Sequence, residues 1–213
     1  MPGTSRPRVL IADDHALIAE AFSKLLATDF DVVATVHDGR SLIQTAQALK
    51  PDAILVDIGM PLLNGLEAAQ RIKRILPEVK IIYVTINHDP DLVAEAFRQG
   101  ASAYLSKTSA AAELVATIHW ALKGEMHLPS VVHTDTAESP SQEFNSARPH
   151  LTERQLEVLQ LLAEGRSMKE AAAVLNLTTR TVAFHKYRIM ESLQLRNDAE
   201  VVQYAMRRHV IFS

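Results

Sequence analysis

Three aspartates stand directly behind short apolar runs: Asp13 and Asp14 close the run 9–12, and Asp57 closes the run 53–56. Thr85 ends a further run, 79–84, and Lys107 follows another, 101–105. Carboxylates gathered in one place repel, so their joint ionisation demands a compensating cation. Oxygen donors without nitrogen or sulfur suit Mg2+, which takes one or two carboxylates together with water and phosphate oxygens. Asp57 follows a central run and is the natural nucleophile toward a phosphoryl group. The Thr85 hydroxyl and the Lys107 ammonium would neutralise the oxygens of that group, which is most of what phosphoryl transfer asks of a protein.

These side chains need a scaffold that brings them together. The runs 9–12, 32–36, 53–56, 79–84 and 101–105 are rich in Val, Ile and Leu, as strands buried on both faces should be. Between them lie segments with apolar residues at three-to-four spacing, such as Ala68, Ile72, Ile75 and Leu76. Asn64 with Glu67 reads as a helix cap, and Asp89-Pro90 places proline in a first helical turn. Five strands alternating with five helices predict a doubly wound parallel α/β sheet. Ligands of such sheets bind outside the carboxyl ends of the strands, where the three aspartates, Thr85 and Lys107 all fall.

Residues 124–149 contain three prolines and many Ser, Thr and Asn, and no apolar period survives there. They read as a linker with a short ordered start at 126–132. From Leu151 the pattern is wholly helical. Thr152 with Gln155 and Ser167 with Glu170 form two capping boxes. Leu156, Leu159 and Leu162 line one face of the first helix, and Gly165 stops it. A third helix runs from Thr178 to about Leu193, and a fourth from Asn197 or Asp198 to Arg208. Two short helices, a tight turn at Asn176 and a longer helix have the spacing of a helix-turn-helix.

Composition narrows the function classes. The 213 residues include no cysteine, which excludes disulfides, thiol catalysis and cysteine-bound zinc. No stretch approaches the length of a membrane span, and the N-terminal apolar run is too short for a signal peptide, so a cytoplasmic protein is expected. Nine Lys and Arg face seven Asp and Glu in 150–213, against thirteen and eighteen in the remainder. A polyanion would therefore sit on the C-terminal third.

Residues 8–123 resemble the receiver domain of bacterial two-component systems. The resemblance rests on Ala12-Asp13-Asp14-His15, Leu55-Val56-Asp57-Ile58-Gly59-Met60-Pro61, Asn64-Gly65, Thr85 and the segment 100–107 ending in Tyr104-Leu105-Ser106-Lys107. It implies a flavodoxin-like (βα)5 fold in which Asp57 accepts a phosphoryl group from a sensor histidine kinase. It further implies that Asp13, Asp14, Asp57 and the Gly59 backbone carbonyl hold Mg2+. Thr85 and Tyr104 match the switch pair, the hydroxyl moving to the phosphate and the ring turning inward. His15 reads as a solvated residue of the first helical turn. Gly59 lacks the side chain many receivers carry there, and Ile86 is bulkier than usual, which bears on the lifetime of an aspartyl phosphate.

Residues 150–211 resemble a LuxR-type helix-turn-helix domain, on Leu151 to Gly165, Lys169-Glu170-Ala171-Ala172, Thr181-Val182, His185-Lys186 and Ile189-Met190, within a domain set at 150–213. Receiver plus LuxR-type domain is the architecture of the NarL/FixJ response regulators. The helix-turn-helix then spans Met168 to Tyr187, with Ala183, Phe184 and Tyr187 approaching bases. Arg180, Lys186 and Arg188 suit phosphates, which position a protein without reading sequence. Phe184 either touches a thymine methyl or packs. Ala183 replaces a residue that is basic in many members, and Met168 a usual Asn. Val182, His185, Ile189 and Leu193 would face the core. The fourth helix, with Val201, Val202, Ala205 and Met206, would form a homodimer, alone or with the receiver, on paired half-sites of double-stranded promoter DNA.

The expected function is a phosphorylation-controlled transcription factor that accepts a phosphoryl group, and loses it by its own hydrolysis, without turning over a substrate. Phosphorylation would free a masked recognition helix or drive dimerisation. A receiver acting as a protein adaptor is a second reading. An acid-dyad phosphohydrolase is a third, but it needs a general acid where Gly59 stands.

Overall fold

The computed structural model describes residues 6–86, 89–125 and 151–211. The chain divides into two compact units, 1–132 and 133–213. The first alternates β1 (Arg8–Ala12), α1 (Ala16–Leu26), β2 (Asp31–Val36), α2 (Gly39–Leu49), β3 (Ala53–Val56), α3 (Gly65–Ile75), β4 (Lys80–Thr85), α4 (Pro90–Arg98), β5 (Ala103–Ser106) and α5 (Ala110–Lys123). The second contains α6 (Glu153–Ala163), α7 (Met168–Leu175), α8 (Thr179–Leu193) and α9 (Asp198–Arg207). The expected ordered start at 126–132, like the linker beyond Glu125, lies outside the described residues.

All strands of the five-stranded sheet pair in parallel, in the order β2-β1-β3-β4-β5. The expected doubly wound α/β unit is therefore what forms. One face of the sheet, with Val9, Ile11, Leu55, Ile82, Val84 and Leu105, packs on Phe22 and Leu26 of α1 and Leu114 and Ile118 of α5. The alternate residues Leu10, Ile54, Ile81, Tyr83 and Tyr104 are also buried and point to the opposite face, as the two-residue period of a strand requires. Double burial fails only at β2, none of whose residues is fully buried, whereas the other edge strand, β5, still buries Ala103, Tyr104 and Leu105.

Three local expectations shift. β5 begins at Ala103 rather than at 101, because Gly100 (φ +91°) and Ala101 close α4 by donating to Phe97 O and Ala96 O. In α3 the buried stripe is Leu66, Ala68, Ala69 and Ile72, while Ile75 is exposed. In α6 the buried apolar residues are Val158, Leu159, Leu161 and Ala163, and Leu156 and Leu162 are only half-buried.

The second unit is built around its caps. Thr152–Gln155 and Ser167–Glu170 are both reciprocal capping boxes. Asn176 takes the left-handed conformation (φ +53°) that ends α7, and Thr178 caps α8 two residues later. Val182 and Ile189 of α8 are buried, as are Ala171 and Leu175 of α7, whereas His185 and Leu193 stop half-way.

Candidate functional site

The sheet order reverses between β1 and β3, since the chain runs from β1 outward to β2 and then returns to β3. Crevices at such reversals are where open α/β sheets bind ligands. Asp13 and Asp57 extend these two strands by one residue each. The Asp13 N–H donates to Val36 O at 3.1 Å and the Asp57 N–H to Ala12 O at 2.8 Å, so the backbone ladder fixes both carboxylates side by side. Lys107 arrives from the far edge, its N–H donating to Thr85 O at 2.9 Å.

The Lys107 ammonium lies 2.7 Å from Asp57 Oδ2 and 2.8 Å from Asp13 Oδ2. Its side chain is 6% exposed, so the contacts are shielded from water. Burial alone would push the Lys107 ammonium toward neutrality, but hydrogen bonds to Asp13 and Asp57 outweigh it and hold its pKa above the ordinary lysine value. Asp14 is more open, at 31% side-chain exposure. One oxygen each of Asp13, Asp14 and Asp57, with one nitrogen of His15, all lie within 4.8 Å of one another. Three acidic oxygens against one ammonium leave net negative charge, a donor set that fits a hard divalent cation.

The structure thus brings Asp13, Asp14, Asp57 and Lys107 together. Thr85 is buried at the end of β4, in register with Ser106 of β5. Tyr104 is fully buried, with its ring turned inward beside that of Tyr83, centroids 6.3 Å apart. Burial first, and then the charges of Asp57 and Asp89, hold the Tyr104 phenol well above its ordinary pKa. The Gly59 N–H reaches Asp57 Oδ1 at 3.3 Å.

His15 stands at the N-cap of α1 and is solvated, as expected. Its ring is largely exposed, but Nδ1 sits 2.7 Å from Asp14 Oδ1, and its N–H donates to Asp13 Oδ1 at 2.9 Å. The residue before helix α1 is drawn to the carboxylates on either side of the strand end. Three further residues shape the site, two of which, His37 and Gly39, went unread in the sequence. His37 Nδ1 lies 2.7 Å from Asp13 O, at a position one past β2 that the parallel pairing of β1 and β2 would have exposed. Gly65 and Gly39 pinch the segment after β3: a Cβ on Gly65 would overlap Asp57 O, and one on Gly39 would overlap Leu63 O.

In the second unit, α8 turns Arg180, Phe184, Tyr187 and Arg188 outward, with Phe184 58% and Tyr187 66% exposed. Phe184 does not join the core. Arg188 pairs with Glu191 at 3.0 Å and sits 6.0 Å from the Phe184 ring centroid. Lys186 is half-buried and pairs with Asp198 at 2.6 Å.

Residues 9–119 match the response regulator receiver domain family, and residues 149–205 match the bacterial regulatory proteins of the luxR family. The chain belongs to the LuxR-type response regulators. It is 34% identical to the oxygen regulatory protein NreC of Staphylococcus aureus, over 96% of this chain and 99% of that one. It is 36% identical to the transcriptional regulatory protein LiaR of Bacillus subtilis over the same shares of the two chains. Among solved structures it resembles the RcsB response regulator of Salmonella typhimurium (26% identity, 94% of this chain, 97% of that chain, TM-score 0.60). A structure of an RcsB–DNA complex is similar too (26% identity, 94% of this chain, 98% of that chain, TM-score 0.57).

As a LuxR-type response regulator the chain couples a receiver to a DNA-binding domain and regulates transcription. No helix among the described residues is long and apolar enough to cross a membrane. In α9, Val201 and Ala205 are buried, while Val202 is half-buried and Met206 exposed.

Proposed function

We propose that Asp57 is the phosphoacceptor of this regulator and that its phosphorylation by a sensor histidine kinase controls binding to promoter DNA. The observation that carries this reading is the single ammonium of Lys107 shared between Asp57 and Asp13 at the reversal of the sheet. An Asp57 carboxylate oxygen bonds to phosphorus as the kinase imidazole N–P bond breaks. Mg2+, held by Asp13, Asp14, Asp57 and the Gly59 carbonyl, would supply the positive charge that this transfer needs. Lys107 binds one phosphoryl oxygen and the Thr85 hydroxyl donates to another. Tyr104 fills the space behind Thr85 in the switched state. The pocket releases the group slowly to water and turns over no other substrate. A phosphoryl donor of this kind places the protein in the cytoplasm.

In the second unit Arg180, Lys186 and Arg188 meet DNA phosphates, while Ala183, Phe184 and Tyr187 face base edges in the major groove. Domain limits of 8–123, 124–149 and 150–213 accord with this division of labour. Two copies, joined through α9, the receiver or both, address paired half-sites. The test is fluorescence anisotropy on fragments of the regulator's own promoter, with and without acetyl phosphate and Mg2+. Acetyl phosphate is expected to tighten wild-type binding and leave Asp57→Asn unchanged. Equal stimulation of both proteins would refute the scheme.

A further inference from the structure

The outward face of α8 is unusual in what it lacks. Arg180, Ala183, Phe184 and Tyr187 are spaced i, i+3, i+4 and i+7, so they form one stripe along the helix. Val182 and Ile189, the buried anchors, lie on the other side. Of the stripe's members only Arg180 and the Tyr187 hydroxyl can hydrogen-bond through their side chains. Its centre, Ala183 and Phe184, is apolar, yet Phe184 is left 58% exposed. Exposing a large ring at the middle of a polar helix face costs free energy unless a partner covers it. Covering it within this unit would have required the helix to turn by about half a revolution, because Val182 and Ile189 hold the opposite side to the core.

Resting on the reading of α8 as the base-facing helix, we infer that Phe184 is a specificity-determining residue that reads thymine through its C5-methyl group. The major groove offers hydrogen-bonding atoms on every base pair but only one apolar feature, the thymine methyl. A phenyl ring has no donor or acceptor with which to use the others. Ala183 beside it adds a second small apolar contact and leaves room for the ring to approach. The Arg188 guanidinium lies over the ring, 6.0 Å from its centroid, and is paired with Glu191. The half-site is therefore centred on thymine, with Tyr187 supplying a hydrogen bond beside it and Arg180 reaching a phosphate.

The test removes the methyl and nothing else. Full-length protein treated with acetyl phosphate and Mg2+ selects duplexes from a random-sequence library. The enriched duplex is then resynthesised with deoxyuridine in place of each thymidine in turn. At one thymine per half-site, affinity is expected to fall about fourfold, the loss from unburying one methyl-sized group. Phe184→Ala is expected to bind the thymidine and deoxyuridine duplexes equally, and Phe184→Leu to keep part of the preference. Indifference of the wild type to every deoxyuridine, or an undiminished penalty in Phe184→Ala, overturns the assignment while leaving DNA binding intact. Failure to enrich any duplex overturns the DNA-binding reading along with it.

Discussion

The ammonium of Lys107 lies 2.7 Å from the Asp57 carboxylate while holding Asp13 at 2.8 Å, so one cation serves two buried acids. Removing it leaves two like charges together without the ammonium they share. Lys107→Ala is expected to lose about 3–5 kcal/mol of stability, the usual cost of breaking a buried ion pair from one side. Urea unfolding at pH 7 reads this, and Mg2+ is expected to restore more stability to the variant than it adds to the wild type. Asp57→Asn, which leaves Lys107 paired with Asp13, is expected to cost far less. A variant as stable as the parent without metal would contradict the shared-cation arrangement.

Gly65 gives a second measurement. Because an added Cβ would overlap Asp57 O, Gly65→Ala forces the segment after β3 to shift. The expected loss is about 1–3 kcal/mol, with slower phosphorylation by acetyl phosphate. Gly124→Ala is the control: its φ of +84° makes alanine strained, but nothing lies near the new methyl. It is expected to lose about 1 kcal/mol and to keep the parental phosphorylation rate. Equal rates in the two variants would show that the Gly65 contact does not position Asp57.

The pH dependence of stability has a definite sign. Lys107, Tyr83 and Tyr104 all have pKa values held above their ordinary ones, Lys107 by hydrogen bonds to acids that overcome burial, the phenols by burial. The unfolded chain therefore releases these protons first as pH rises. Their contribution is full below about pH 10 and declines above it, by up to about 1.4 kcal/mol per pH unit for each group. Urea midpoints between pH 8 and 11 should show a plateau and then a fall. Tyr104→Phe is expected to flatten that fall, and an unchanged slope would assign it to other groups.

Lys186 and Asp198 link α8 to the first turn of α9 at 2.6 Å. If a DNA phosphate takes the place of Asp198, Lys186→Ala weakens binding to all sequences alike. It should also reduce the slope of log affinity against log salt by about 0.9. Asp198→Asn, which frees the ammonium, is expected to tighten binding several-fold. Salt slopes that coincide in wild type and Lys186→Ala would remove Lys186 from the phosphate contacts.

Much of this architecture is legible in the sequence because it is local. Runs of Val, Ile and Leu mark strands, and Ser167 with Glu170 marks a helix start, without reference to distant residues. The aspartate cluster was legible for a related reason: residues one past a parallel strand must share an edge. What escaped depends on neighbours far along the chain. The edge position of β2 follows from strand order, which no single run encodes. His37 joins Asp13 only through the pairing of β1 with β2, and Gly39 touches Leu63 across two elements. Helix faces were displaced by about one residue in α3 and α6, because apolar periodicity gives the stripe but not the direction of the surface that covers it.

The two glycines that pinch the segment after β3 have a mechanical consequence. Backbone stands against it on both flanks, at Leu63 and at Asp57 itself, and Leu62 between them is already in the left-handed region at φ +66°. Such a segment has no slack with which to answer a new dianion on Asp57. On the proposed phosphorylation of Asp57, the opposite bank, the ends of β4 and β5, is then expected to yield, so that a charge added at the middle of the sheet would be felt as displacement toward its rim.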